Sequence, residues 1–239
     1  MVLTARQEDI LQKAVFEYID RAQPVSSSWL EARYDMPLSP ATIRSELSYL
    51  CQEGYLEQPH TSAGRVPTDR GYRFFVDEVL PAQSPEGIQA GPPESSKAGF
   101  GGERNIRDYV EFAQTISRNL TEASSSLTIV YFPQKSFFWK DGWEQVLRAP
   151  ELEGREQIGS FTKFLVDVEK GFQSFHSEKL LEIYIGEENP FSKEKDFSIM
   201  ISAYSFPRKQ KGLMALVGPK RMAYQKNIGL LNSLRRIFA

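Results

Sequence analysis

The sequence predicts a two-domain α+β chain, and three observations predict it. A stretch rich in proline and glycine, "PAQSPEGIQAGPPESSKAGFGG" at 81–102, interrupts 239 residues that are otherwise ordinary for a globular protein, 41% of them hydrophobic. Before it, apolar residues recur at helical spacing. After it, runs such as "SLTIVYFP", "LEIYIG", "FSIMISAYSF" and "GLMALVGP" read as strands set among helices. The boundaries follow: a first domain at 1–80, a flexible linker at 81–102, and a second domain at 103–239.

In the first domain Thr4 is a plausible N-cap. Ile10, Leu11, Ala14, Val15, Tyr18 and Ile19 then form an apolar stripe that Pro24 closes. "SSSWLEARYD" predicts a short second helix with Ser26 or Ser27 as cap and Trp29, Leu30 and Tyr34 turned inward. "MPLSPATIRSELSYLCQEG" predicts a turn and a third helix, with Ser39 at the N-cap, Pro40 at the first helical position, Gly54 past the end, and Ile43, Leu47 and Leu50 buried. "YLEQ" is a short strand. The polar loop "EQPHTSAGRVPTDRGYR" follows, and "TDRGYRFFVDEVL" starts a further helix or a strand–helix junction.

Three helices, a tight turn between the second and third, then a hairpin is the order of a winged helix-turn-helix. In that motif the N-terminal turn of the third helix lies nearest the base edges. Here that turn presents Ser39, Ala41, Thr42, Arg44 and Ser45, and Arg44 is long enough to pair with guanine O6 and N7. His60, Thr61, Ser62 and Arg65 would form the wing, with Arg65 at its tip, and Arg70 and Arg73 would touch backbone phosphate. The opposing observation is charge. Residues 1–80 carry 8 Lys and Arg against 12 Asp and Glu, whereas nucleic-acid binders usually show a basic excess. A ligand- or protein-sensing module whose winged helix acts through protein contacts therefore stands as the alternative.

The segments "LTARQEDILQKAVFEYI", "PVSSSWLEARYDMPLSPATIRSELSYL" and "GYLEQPHTSAGRVPTDRGYRFFVD" together resemble the N-terminal domain of the HrcA-type heat-inducible transcription repressors of bacteria. "IGEENP" and "ALVGPKRMAYQKNIGLLNSL" resemble the close of that family's GAF-like domain, and "GWEQVLRAPEL" is a weaker match to the segment before it. The resemblance implies a homodimeric repressor that binds double-stranded DNA at an inverted-repeat operator upstream of chaperone genes, with the GroE chaperonin as a further partner. A two-fold dimer is what such a repeat requires geometrically. The chain is shorter than family members usually are by roughly a hundred residues, and Ser45 stands where the family commonly has asparagine.

In the second domain, "RDYVEFAQTISRNLTEA" predicts an amphipathic helix presenting Val110, Ala113, Ile116 and Leu120. "GWEQVLRAP" and "IGSFTKFLVDVEKGFQSF" predict a short and a longer helix. With a mostly antiparallel sheet and a closing helix after Met222, this suits a reduced GAF-like α+β fold. The aromatics of "FFWKDGW" read as core or dimer interface. Residues 193–239 hold 10 basic against 2 acidic side chains, which suits either an anionic partner or the acidic middle of the same domain. An enzyme reading rests only on Glu187, Glu188 and His176, and Glu187 and Glu188 fit a capped strand-end turn better. Two histidines and the single cysteine, Cys51, predict no metal site and no internal disulfide. No cofactor is expected. No apolar run is long enough to span a membrane and no signal-peptide core opens the chain, so cytoplasmic residence is the default expectation.

Overall fold

The computed structural model describes residues 3–79, 106–176, 179–206 and 210–238. The proline- and glycine-rich stretch 81–102 lies outside them. The chain divides into two compact units, Met1–Ser84 and Pro85–Ala239. Its class is α+β, as the sequence pattern predicts: a largely helical first unit and a second unit built on a sheet.

The first unit packs three helices, α1 (Ala5–Arg21), α2 (Ser27–Tyr34) and α3 (Pro40–Gln52), around Ile10, Leu11, Ala14, Val15, Leu30, Ile43, Leu47 and Leu50, all buried. Each start is fixed locally. The Thr4 hydroxyl accepts from the Gln7 N–H, and the Gln7 side chain returns a bond to the Thr4 N–H. Ser26 caps α2 with a single bond, its hydroxyl accepting from the Trp29 N–H. α1 ends with Ala22 in the left-handed region, two residues before Pro24.

A two-stranded antiparallel hairpin follows, β1 (Leu56–Glu57) with β2 (Val66–Pro67). Then come α4 (Asp69–Phe74) and a π turn at Phe75–Val79.

Trp29 departs from expectation. Its ring is 37% exposed rather than turned into the core. Its indole N–H donates to Glu17 Oε2 at 2.7 Å, and the Arg21 guanidinium lies 3.5 Å from the ring centre. The partner that decides its position is Glu17, only 3% exposed, whose other oxygen accepts from the Tyr34 hydroxyl at 2.8 Å. A buried carboxylate requires donors, and α2 supplies two. Burial and the bond to Glu17 hold the Tyr34 hydroxyl well above the ordinary phenol range.

The second unit is a five-stranded antiparallel sheet in the order β4-β3-β7-β6-β5, formed by β3 (Leu127–Phe132), β4 (Phe137–Asp141), β5 (Leu181–Ile185), β6 (Phe197–Phe206) and β7 (Gln210–Pro219). β6 and β7 pair along ten residues each, and their connection at 207–209 lies outside the described residues. β4 is a strand where the aromatic run "FFWKD" gave no strand expectation. Ser136, left-handed at φ 46, turns the chain so that Phe137 pairs with Phe132.

Helices cover both faces of the sheet. α7 (Arg155–Phe172) buries Phe161, Phe164, Leu165, Val168 and Phe172 with Ile129, Tyr131, Phe197, Ile199, Ala215 and Val217. α5 (Ile106–Ser124) and α8 (Tyr224–Phe238) lie on the opposite face. There the Thr121 hydroxyl donates to Thr128, and Tyr224 meets Ser198 at 2.9 Å. The short helix α6 (Trp143–Leu147) follows β4. Two-sided cover explains why β3 is buried at all six positions rather than alternating.

Candidate nucleic-acid interface

The N-terminal turn of α3 is built by Ser39 and Pro40. Ser39, extended at φ −67 and ψ 151, accepts from the Thr42 N–H at 3.1 Å, and its hydroxyl lies 2.9 Å from that of Thr42. Pro40 has no N–H, and the Ile43 N–H donates to the Ser39 carbonyl. The Ala41 N–H thus remains the one first-turn amide without an acceptor among the described residues.

With Ile43, Leu47 and Leu50 against the core, Ala41, Arg44 and Ser45 fall on the outer face and are exposed. The Ser45 hydroxyl donates back to the Ala41 carbonyl at 3.1 Å and Ser48 to that of Arg44 at 2.9 Å. The Arg44 side chain has no hydrogen-bond or ion-pair partner among the described residues.

The hairpin loop is a compact turn. Gln58 Nε2 donates to the carbonyls of Thr61 at 2.9 Å and Ala63 at 3.0 Å, and the Ala63 N–H donates to the His60 carbonyl at 2.8 Å. His60, Thr61 and Ser62 are exposed at its end, with His60 Nδ1 3.1 Å from the Ser62 hydroxyl. The base is fixed to the α1–α2 connection by a reciprocal pair of backbone bonds between Val25 and Arg65, at 2.7 and 2.8 Å. Gly64 permits this approach. A Cβ there would lie 2.5 Å from the Val25 carbonyl.

The arginines are placed differently from the sequence expectation. Arg65 is not at the tip; it sits half-buried in the bridge to Val25, with Nη1 3.3 Å from the Ala63 carbonyl and Nε buried. Its guanidinium faces Cys51, whose thiol burial pushes up and Arg65 pulls back. Backbone pairing with Val25 fixes where this side chain starts and turns it toward α3.

Arg70 donates to the Glu53 carbonyl at the end of α3 at 2.5 Å and to the Tyr55 hydroxyl at 3.1 Å, lying 4.2 Å from the centre of that ring. Arg73 pairs with Asp77 at 3.1 Å. Gln58, which braces the loop, and Glu17, which anchors α2, were not singled out from sequence. Their roles depend on carbonyls and donors brought in by other segments, and only the Gln58-Pro59 and Ala63-Gly64 pairs carry a local turn signal.

The second unit does not assemble an acid–base site from the residues considered. The Glu187 carboxylate meets Lys195 at 2.5 Å, and Glu188 accepts from the Ile185 N–H at 3.2 Å, closing the turn after β5. His176 lines an open cleft of about 690 Å³ with Asp167, Lys170, Phe175, Tyr184 and Phe191, and neither Glu187 nor Glu188 lines it. Among the described residues no group of His, Cys, Asp and Glu is arranged to hold a metal. Nor is any helix long and apolar enough to cross a membrane.

Known proteins give a consistent picture. The HrcA protein C-terminal domain model matches residues 93–228, more than half of the chain. A heat-inducible transcription repressor HrcA from Natranaerobius thermophilus is 58% identical over 80 residues, which are 34% of this chain and 23% of that relative. The HrcA repressor of Thermodesulfovibrio yellowstonii aligns over 98% of this chain and 97% of its own length at 26% identity. That alignment runs over 337 positions, 98 more than the residues of this chain, so the relative holds segments without a counterpart here.

A crystal structure described only as a hypothetical protein superposes with a TM-score of 0.76 at 19% identity, covering 99% of both chains, and supports the fold alone. A family model matched over residues 93–228 and repressor relatives, one of them aligned along nearly the whole chain, lead to one conclusion: the chain belongs to the HrcA family of heat-inducible transcription repressors, which are not enzymes.

Proposed function

We propose that this chain represses heat-shock (chaperone) genes by binding, as a homodimer, an inverted-repeat operator in double-stranded DNA. In this reading residues 1–80 form a winged helix-turn-helix, 81–102 a linker and 103–239 a reduced GAF-like domain for dimerisation and regulation, in a cytoplasmic protein. The observation that carries it is the outer face of α3. Ala41, Arg44 and Ser45 stand exposed on the first turns of a helix whose opposite side is locked into the core, and a pinned hairpin presents His60, Thr61 and Ser62. A helix held this way can enter the major groove, with the hairpin against the adjoining backbone. Ser39, Thr42 and Ser45 can exchange their internal bonds for base edges or phosphate. GroE chaperonin is the partner that the family relationship suggests for regulation.

The test is binding of the purified chain to a labelled inverted-repeat duplex and to a scrambled one, with stoichiometry. Repeat-dependent binding by two chains is expected. Equal binding to both duplexes, or none by folded protein, rejects the reading. The acidic balance of residues 1–80 favours a second reading, a module docking on protein. Loss of DNA binding on Arg44→Ala favours the first reading over the second, because a protein-docking module need not use this face.

A further inference from the structure

We propose that Arg44 is the single arginine of this surface that contacts DNA, reading a guanine in each half-site, and that Arg65, Arg70 and Arg73 are positioning residues. The inference rests on the DNA-binding reading above and narrows it. All eight Lys and Arg of residues 1–80 fall within the described residues, and seven are engaged inside the unit. Arg6 faces Glu46, Lys13 both oxygens of Asp9, Arg21 Gln23 and the Trp29 ring, and Arg33 Glu17. Arg65, Arg70 and Arg73 are held as described above. Only Arg44 is left.

Two of these engagements are structural by their geometry. Arg70 satisfies a carbonyl at the C-terminal end of α3, where a helix leaves acceptors unpaired, and stacks on Tyr55, the residue that leads into β1. Moving it to a phosphate 'uncaps' the reading helix. Arg65 starts from a backbone pair with Val25, donates through Nη1 to the Ala63 carbonyl at 3.3 Å and faces Cys51, so its guanidinium is engaged within the hairpin base. Arg73 is a third case: Asp77 one turn on cancels its charge at a distance and repels phosphate.

The consequence is electrostatic. A protein releases counterions from DNA in proportion to the phosphates that its cations neutralise, with a slope of about −0.9 in log affinity against log salt per phosphate. Four arginines on each of two chains give a slope of about −7, and Arg44 alone gives about −2 or shallower. Discrimination then comes from the bidentate geometry of a guanidinium on guanine O6 and N7, which lysine cannot reproduce.

The test uses the full chain and a duplex selected from a random pool by repeated binding. Affinities are measured by fluorescence anisotropy across a salt series. A slope of about −2 or shallower is expected. Arg44→Ala is expected to weaken the selected duplex about 10- to 100-fold and to leave a duplex lacking the guanine unchanged. Arg73→Ala is expected to leave affinity and slope unchanged, and Arg70→Ala to weaken all duplexes alike at unchanged slope. A slope near −7, or slopes reduced by about two units in Arg70→Ala or Arg73→Ala, overturns the assignment. Arg73→Ala decides alone should Arg70→Ala not fold. A pool that yields no preferred duplex rejects DNA recognition itself, a different failure from a preferred duplex bound with a steep slope.

Discussion

The two units of this chain are stabilised by different means. The first holds small helices together with an aliphatic core and a set of named polar contacts: the Thr4–Gln7 box, the Glu17 cluster, the Val25–Arg65 bridge and the Arg70 clamp. The second encloses a sheet between helices and fills one side with Phe161, Phe164, Phe172 and Phe197. The hydrophobic effect is non-directional, whereas a polar contact fixes distance and angle. The unit that carries the candidate interface is the one built on directional contacts.

Substitutions can break or sharpen that contrast. Phe164→Ala, at a fully buried position in the second unit, is expected to cost about 3–5 kcal/mol in chemical denaturation. A loss under about 1 kcal/mol shows that the aromatic core does not dominate there. Glu17→Ala removes the acceptor for Trp29 and Tyr34 and is expected to cost about 2–3 kcal/mol, with a shift of tryptophan emission marking release of the indole. An unchanged emission spectrum contradicts the role given to Glu17.

Ser39→Ala deletes the α3 cap and should cost about 1 kcal/mol, read as a lowered melting temperature. The smallest effect is alkaline. Burial and the bond to Glu182 push the Tyr184 hydroxyl up to about 12, from an ordinary value near 10. A group whose folded pKa is raised contributes stability that is complete below its unfolded pKa. Here that contribution is lost as pH rises between about 10 and 12. Tyr184→Phe should flatten the fall over that window, and an identical profile for both proteins excludes Tyr184 from it.

Much of the first unit was legible because helix ends are local. Thr4, Ser26 and Ser39 act on residues three positions on, so sequence spacing contains the whole interaction. Trp29 was misplaced because spacing puts it on the inner stripe, while the group that holds it outward, Glu17, belongs to another helix. β4 was missed for a related reason. Phe137–Asp141 becomes a strand through pairing with β3, and a left-handed Ser136 does not announce a turn as glycine does. In the candidate interface, Ala41, Arg44 and Ser45 on α3 lie where helical periodicity puts them. The arginines beyond α3 do not follow spacing, because their positions depend on carbonyls supplied by distant segments.

The close approach of Gly64 to Val25 has a final consequence for recognition. With its base fixed by two backbone bonds and its loop braced by Gln58, the hairpin loses its conformational freedom when the unit folds. Whatever meets His60, Thr61 and Ser62 therefore encounters a nearly rigid edge, and little further ordering entropy opposes the encounter. Replacing Gly64 by a larger residue would return that freedom to the bound-state balance, so its effect should be felt more strongly in association than in the stability of the core.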